Sequence, residues 1–395
     1  MMTDFLKNAR SMEDEIIKNR RILHNFAEVG FDLPQTVAFI MKKLQEYGYT
    51  PTLVGKAGVV ATVGKPGKTI LLRADTDALP MQDLSGLDFA ATNGHCHSCG
   101  HDMHPAMLLG AAKLLKEQEK DLAGTVKLMF QPAEELLSGA KDMIEHGLLK
   151  NPDVDAAFGL HVITGMDFSQ SGMICYSKGA ITNSGDAVRI EIKGQDTHGS
   201  MPERGVDAIN IAAHIIISLQ EVIAREIPST DHSLLLVGKM EGGTTCNSVA
   251  GSAVLEASIR GSGPQMREFL KKRVVEISQN VAATFRGKAE VDFVYGSPAL
   301  MNDSALVDEL IGYIGEILPE EMLSPNGKLG GGEDFTFVAD LVPSAFFLLG
   351  AGSIPEGYEV SMHNPSTKFN ESVMPVGAAI LAECAYRWLE KHSNE

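Results

Sequence analysis

The sequence predicts an α/β fold: a mostly parallel mixed sheet flanked by helices, interrupted by an inserted ferredoxin-like α+β domain. Three observations predict it. Up to about residue 180, short apolar runs alternate with helix-period stretches, the pattern of βαβ units around a buried sheet. From 181 to 296 the strands change to period-two alternation and are separated by two long helical patterns. From 297 the first pattern returns. A chain of 395 residues has room for two domains, or for one large domain with an insertion. The expected division is therefore 1–180 and 297–395 for the larger domain and 181–296 for the insert.

In chain order, residues 3–28 read as one amphipathic helix, with Phe5, Ile16, Ile17, Ile22, Leu23 and Phe26 at helical spacing. Thr36 to Tyr47 is a second helix, stopped at Gly48. Gly58–Gly64 and Thr69–Ala74 are strands, the second apolar enough to be buried on both faces. A helix spans 105–118, a strand Thr125–Gln131, a helix 138–149 and a short strand Ala156–Leu160. The insert reads as strand 186–193, helix 206–224, strands 234–237 and 253–260, helix 264–285 and strand 289–295. The chain then returns to helix 306–318, buried strand Ser344–Gly350 and closing helix 375–391.

Composition narrows the function. A formal net charge of -17 argues against nucleic acid and against an anionic membrane as partners. The apolar runs are too short to span a bilayer, and the first residues lack the apolar core of a signal peptide, so a cytoplasmic protein is expected. The five cysteines are scattered and odd in number, which does not suit a disulfide framework.

The densest chemistry lies in residues 93–104, which hold His95, Cys96, His97, Cys99, His101, Asp102 and His104. Such ligands at a loop-to-helix junction suit a transition metal. In an open α/β sheet, ligands gather at the carboxyl ends of strands. Asp75 and Asp77 follow strand 69–74, Glu134 and Glu135 follow strand 125–131, His161 follows strand 156–160, and His363 follows the strand from Ser344 after a loop. Each has a plain structural reading on its own: a cap, a solvated helix start or a hydrogen-bonded histidine. Together, at successive strand ends, they favour a metal site. Cys96 and Cys99 also form a C-x-x-C pair, so a thiol–disulfide function is an alternative. It leaves Glu134, Glu135, His161 and His363 without a role.

Seven ordered segments carry a resemblance: RADTDALP (73–80), HSCGHDMH (97–104), QPAEE (131–135), GLH (159–161), THGS (197–200), GEDF (332–335) and HNP (363–365). Together they resemble the amidohydrolase branch of the aminoacylase/carboxypeptidase metallopeptidase family. This branch includes hippurate hydrolases, auxin-conjugate hydrolases and N-acyl-amino-acid deacetylases. The resemblance implies a zinc-peptidase-like catalytic domain and an inserted dimerisation or lid domain. It implies two divalent metal ions per subunit, Zn2+ or Mn2+ with Co2+ or Ni2+ as options, held by Cys99, His101, Glu135, His161 and His363. Cys99 would bridge or nearly bridge them as a thiolate. Glu134 would be the general base and then the acid for the leaving amine. Asp77 would orient its neighbours. The wider family usually has a histidine ligand where this chain has Asp75, a departure shared by the branch. His97 has no assigned role, and His104 is expected to cap its helix. In the insert, His198 would stabilise the oxyanion of a partner subunit's active site, and Asn247 and Arg260 would hold the substrate carboxylate. Gly330–Gly332 would form a backbone loop near the substrate. The expected activity is hydrolysis of small N-acyl amino acids by a homodimer. A carboxypeptidase or dipeptidase of the same family and a non-catalytic metal-binding protein are the alternatives.

Overall fold

A computed structural model describes residues 4–393. The chain forms two compact units. One contains the residues up to Ile181, Met301–Lys328 and the residues from Asp334; the other contains Thr182–Leu300 and Leu329–Glu333. The strap Leu329–Glu333, which the sequence pattern assigns to the larger domain, groups with the second unit.

The expected helix over 3–28 is two helices, α1 (Phe5–Ser11) and α2 (Glu13–Phe26); residue 3 lies outside the described residues. The Ser11 hydroxyl donates back to the Asn8 carbonyl, and Met12 leaves helical geometry at ψ 8°. Helix α3 (Pro34–Glu46) starts with proline in its first turn. Strands β1 (Thr52–Val54), β2 (Gly58–Gly64) and β3 (Thr69–Asp75) precede α4 (Met103–Glu117), β4 (Thr125–Gln131), α5 (Gly139–Glu145) and β5 (Ala156–Ile163). The strand that contains His161 runs two residues past it instead of ending before it. Two-residue strands β6 (Ile174–Cys175) and β7 (Gly179–Ala180) close this half.

The second unit is built from β8 (Gly185–Lys193), β9 (Thr197–His198), α6 (Ala208–Glu221), β10 (Leu234–Gly242), β11 (Ser248–Val249), β12 (Ser252–Arg260), α7 (Pro264–Thr284) and β13 (Lys288–Ser297). Its main sheet is antiparallel with order β10-β12-β8-β13, the ferredoxin-like arrangement. Residues of β8 and β12 alternate between buried and half-buried, and the buried set packs on α6 and α7. Helix α6 with its continuing turn, Ala208–Glu226, is long and apolar enough to cross a membrane by length and composition. Its apolar content has a local explanation: Ile211, Ile215, Leu219 and Val222 recur every three or four residues and are buried in this unit's core.

The chain returns through β14 (Met301–Asn302), α8 (Ser304–Ile314), β15 (Leu323–Ser324), α9 (Thr336–Ala339), β16 (Ser344–Gly350) and α10 (Met374–Lys391). The large sheet has order β1-β2-β4-β3-β5-β16-β6-β15. Its centre, β4-β3-β5-β16, is parallel throughout, so the carboxyl ends of these four strands share one rim. All four are buried along their whole length, as expected for strands covered on both faces. Strand β5 pairs with β3 only from Ala156 to Gly159, yet continues with β16 to Ile163. The sheet therefore parts between β3 and β5 at the rim.

Candidate metal centre and active site

The rim gathers the residues singled out in the first unit. Cys99, His101 and Glu135 place ligand atoms within 4.8 Å of one another. Cys99 Sγ is 3.6 Å from His161 Nε2 and 3.3 Å from His363 Nε2, and His363 Nε2 is 3.3 Å from Glu135 Oε1. One thiol, three imidazoles and one carboxylate thus converge from a helix-start loop, two strand ends and a loop beyond β16.

Hydrogen bonds set which imidazole nitrogens can bind. His101 Nδ1 donates to the Asp77 carbonyl at 2.9 Å, and His161 Nδ1 donates to the Val162 carbonyl at 2.7 Å. Each ring then turns its Nε2 into the cluster. His101 Nε2 and Glu135 Oε1 are buried and make no hydrogen bond, although Asp75 Oδ2 lies 3.2 Å from the first and His363 Nε2 3.3 Å from the second. Orphaned donor atoms with a thiol and imidazoles beside them fit a borderline divalent ion.

A second group, Asp75, His101, His104 and His161, is equally compact. His104 does not belong to the donor set. Its Nε2 accepts the Val162 amide at 2.8 Å, so Nδ1 carries the proton and gives it to Asp75 Oδ1 at 2.5 Å. No lone pair is left. His104 is also not a cap: it joins Asp75 to the amide of Val162 in the part of β5 that has left β3. Asp75 is held from the other side by Arg73, 3.0 Å away.

Burial opposes ionisation of Glu135, but His363, 3.3 Å away, and the nearby charge of His101 bring its carboxyl below the usual glutamate value. Burial pushes His161 well below the ordinary histidine range, leaving it neutral with a free lone pair. The thiol of Cys96 is pushed up to about 12, chiefly by burial. That is the opposite of the acidic thiol that a redox pair needs. His95 donates from Nδ1 to the Ala27 carbonyl. His97 is buried, and burial lowers its pKa to about 3.

Glu134 and Glu135 sit in a turn held by Asp77. One Asp77 oxygen accepts the Glu134 amide at 3.0 Å and the other accepts the Glu135 amide at 3.2 Å. The turn is flanked by Ala133 and Leu137, both left-handed at φ 52° and 49°; His363 is left-handed at φ 60°. Each such non-glycine residue costs about 1–2 kcal/mol, so backbone strain is concentrated where these side chains are aimed.

Gly100 separates Cys99 from His101 at φ +87°, and a Cβ there would lie 2.3 Å from Val162 Cγ2. Gly100→Ala is therefore expected to combine left-handed strain with overpacking, on the order of 2–4 kcal/mol. It should lower the thermal midpoint and weaken metal uptake together, as measured by calorimetry and metal titration.

In the second unit, His198 and Asn247 are brought side by side. His198 pairs with Ser248 across β9 and β11, and the Gly199 amide donates to the Asn247 carbonyl at 2.8 Å. His198 Nδ1 accepts the Ser200 amide and lies 2.7 Å from the Ser200 hydroxyl. The ring proton is therefore on Nε2, available as a donor. Asn247 Oδ1 accepts the Thr245 hydroxyl. Arg260 is elsewhere: it ends β12, whose first residue Ser252 pairs with Lys193 at the His198 end of the sheet. A nine-residue strand separates the two ends by about 26 Å. Asn247 and Arg260, both expected to hold the substrate carboxylate, thus lie at opposite ends of this sheet. Gly330 and Gly331 would meet nothing within 4 Å of an added Cβ.

The sequence reading missed Arg20, His24 and Asp83, which join in a buried network with Asp102, the residue after His101. The signal was present: Arg20 and His24 continue the stripe of Ile16 at four-residue spacing, so they occupy buried positions of α2.

Comparison with known proteins agrees with this geometry. The model of peptidase family M20/M25/M40 matches residues 71–387. The N-acetyl-L-cysteine deacetylase of Bacillus subtilis (strain 168) is 34% identical over 98% of this chain and 91% of its own. The hippurate hydrolase of Campylobacter jejuni is 32% identical over 96% of this chain and 98% of its own. The crystal structure of the Bacillus subtilis YXEP protein, described as a dinuclear metal-binding peptidase, superposes with a TM-score of 0.83 at 28% identity, covering 96% of this chain and 99% of that one. With a matching family model, full-length relatives and the donor cluster in place, the chain belongs to peptidase family M20/M25/M40, as a metal-dependent amidohydrolase.

Proposed function

We propose that the chain hydrolyses the amide bond of small N-acyl amino acids, releasing a carboxylic acid and a free amino acid. The observation that carries this reading is the convergence of five donors on one rim, with Glu134 adjoining the donor Glu135 in the turn held by Asp77. Cys99, His101, Glu135, His161 and His363 would hold two divalent ions, with zinc or manganese suiting the mixed donor set and cobalt or nickel also compatible. Such ions, when bound, supply Lewis acidity that polarises an amide carbonyl and acidifies water. Glu134 takes the proton from the attacking water and delivers it to the leaving nitrogen. Asp77 makes this division of labour possible, because it pins two consecutive amides while their side chains serve different tasks.

The second unit supplies substrate contacts and, on this reading, acts as lid and dimerisation domain. His198 offers an Nε2 proton to the oxyanion, with Asn247 beside it, while Arg260 binds the free carboxylate. The separation of about 26 Å along β12 supports a reading in which two chains of a homodimer share the work, Arg260 from one and His198 with Asn247 from the other. His198→Ala is expected to be nearly inactive alone and to regain activity when refolded together with Glu134→Gln, because a hybrid dimer keeps one intact site. No regain in the mixture would argue against sharing.

Substrate class is tested by steady-state assays of the metal-loaded enzyme on hippurate, N-acetyl amino acids and dipeptides. Higher kcat/KM on the N-acyl amino acids is expected. A clear preference for dipeptides would move the chain to the peptidase reading, and no turnover on any would leave only metal binding.

A further inference from the structure

Arg20 and His24 stand one turn apart on α2, and both are buried. Arg20 Nε donates to Asp102 Oδ2 at 2.7 Å, and His24 Nδ1 donates to the same oxygen at 2.7 Å. The other ring nitrogen of His24 lies 2.9 Å from Asp83 Oδ2. Asp83 in turn accepts the amides of Ser85 and Ala91. Carboxylates only accept, so His24 uses both nitrogens as donors and is an imidazolium between two anions. Two buried cations and two buried anions are thus tied into one line, from α2 through Asp102 to the loop at 83–91.

Buried ion pairs contribute little net stability compared with apolar packing of the same volume. Their better-attested use is to fix one arrangement among several. Here the fixed residue is Asp102, which directly follows His101. The turn it closes is tight: the Gly100 amide donates to the His97 carbonyl and the Met103 amide to the Gly100 carbonyl. Any shift of Asp102 would swing His101 and, through Gly100, Cys99.

We propose that Arg20 and His24 are positioning residues for the metal centre: through Asp102 they aim Cys99 Sγ and His101 Nε2 at one point, with Asp83 bracing His24 from behind. This rests on Cys99 and His101 being metal ligands. None of the four touches the substrate or the reacting atoms; they act through the loop that carries the ligands.

The test is a titration of the metal-free, full-length protein with Zn2+ against a chelating fluorophore, paired with the thermal midpoint of the metal-free protein. His24→Gln and Asp83→Asn should each lose about 10–100-fold in Zn2+ affinity, while KM at saturating metal stays unchanged. Asp83→Asn keeps the shape of the side chain and carries the test if His24→Gln does not fold. Lys178→Gln is the control: Lys178 pairs with Asp308 at the surface and takes no part in this line, so its affinity should stay within about twofold of wild type. Wild-type Zn2+ affinity in both His24→Gln and Asp83→Asn, with a lowered midpoint, would reduce the network to a structural brace and overturn the proposal. Wild-type affinity in Cys99→Ala would remove the ligand assignment itself, a separate failure read in the same titration.

Discussion

Replacing Glu134 by glutamine should leave metal content unchanged and lower kcat by about 10²–10⁴-fold, the range for losing a general acid–base group. The backbone of the turn should survive, because Asp77 holds it through the amides of residues 134 and 135 and not through the Glu134 side chain. Glutamine has similar volume but cannot take a proton from water at neutral pH. Elemental analysis and steady-state kinetics on the same preparation separate the two effects. A kcat near that of wild type would take the base role from Glu134, and lost metal would make it a ligand.

The second large effect is expected at Cys99. Its sulfur is within 3.6 Å of His161 and 3.3 Å of His363, so Cys99→Ala removes the atom at the centre of the donor set. Metal affinity should fall by more than the ~10–100-fold typical of losing an outer partner. Cys96→Ala is the matched control. Cys96 is three residues away, buried, and its thiol is held up near 12, so it has no thiolate to offer. Metal titration of the two variants decides which cysteine matters; equal losses would mean that the C-x-x-C pair acts as a unit.

Much of this was legible in the chain. The strands of the parallel centre are mostly apolar runs, and their order of appearance placed Asp75, Asp77, Glu134, Glu135 and His161 near one rim. What escaped was decided by long-range geometry. His104 looks like any other histidine of the 97–104 motif until the amide of Val162, 58 residues on, is seen to occupy its second nitrogen. Arg260 and Asn247 are close in sequence, and only the direction of β12 puts them far apart. Arg20 and His24 interrupt an apolar stripe. That should mark buried polar residues with partners, but nothing local names Asp102 and Asp83 as those partners.

The parting of β3 from β5 bears on how such a protein can diverge. The two strands are zipped over Ile70–Arg73 and Ala156–Gly159, and the residues beyond are released from that ladder. Their amides and side chains answer to the centre instead, as the contact from Val162 to His104 illustrates. The amino-terminal halves of the two strands are therefore laced to neighbours on both edges, the carboxyl halves on one. The far ends are also buried and keep β4 and β16 as outer neighbours, so divergence of the centre falls on the few residues beside the gap, such as Asp75.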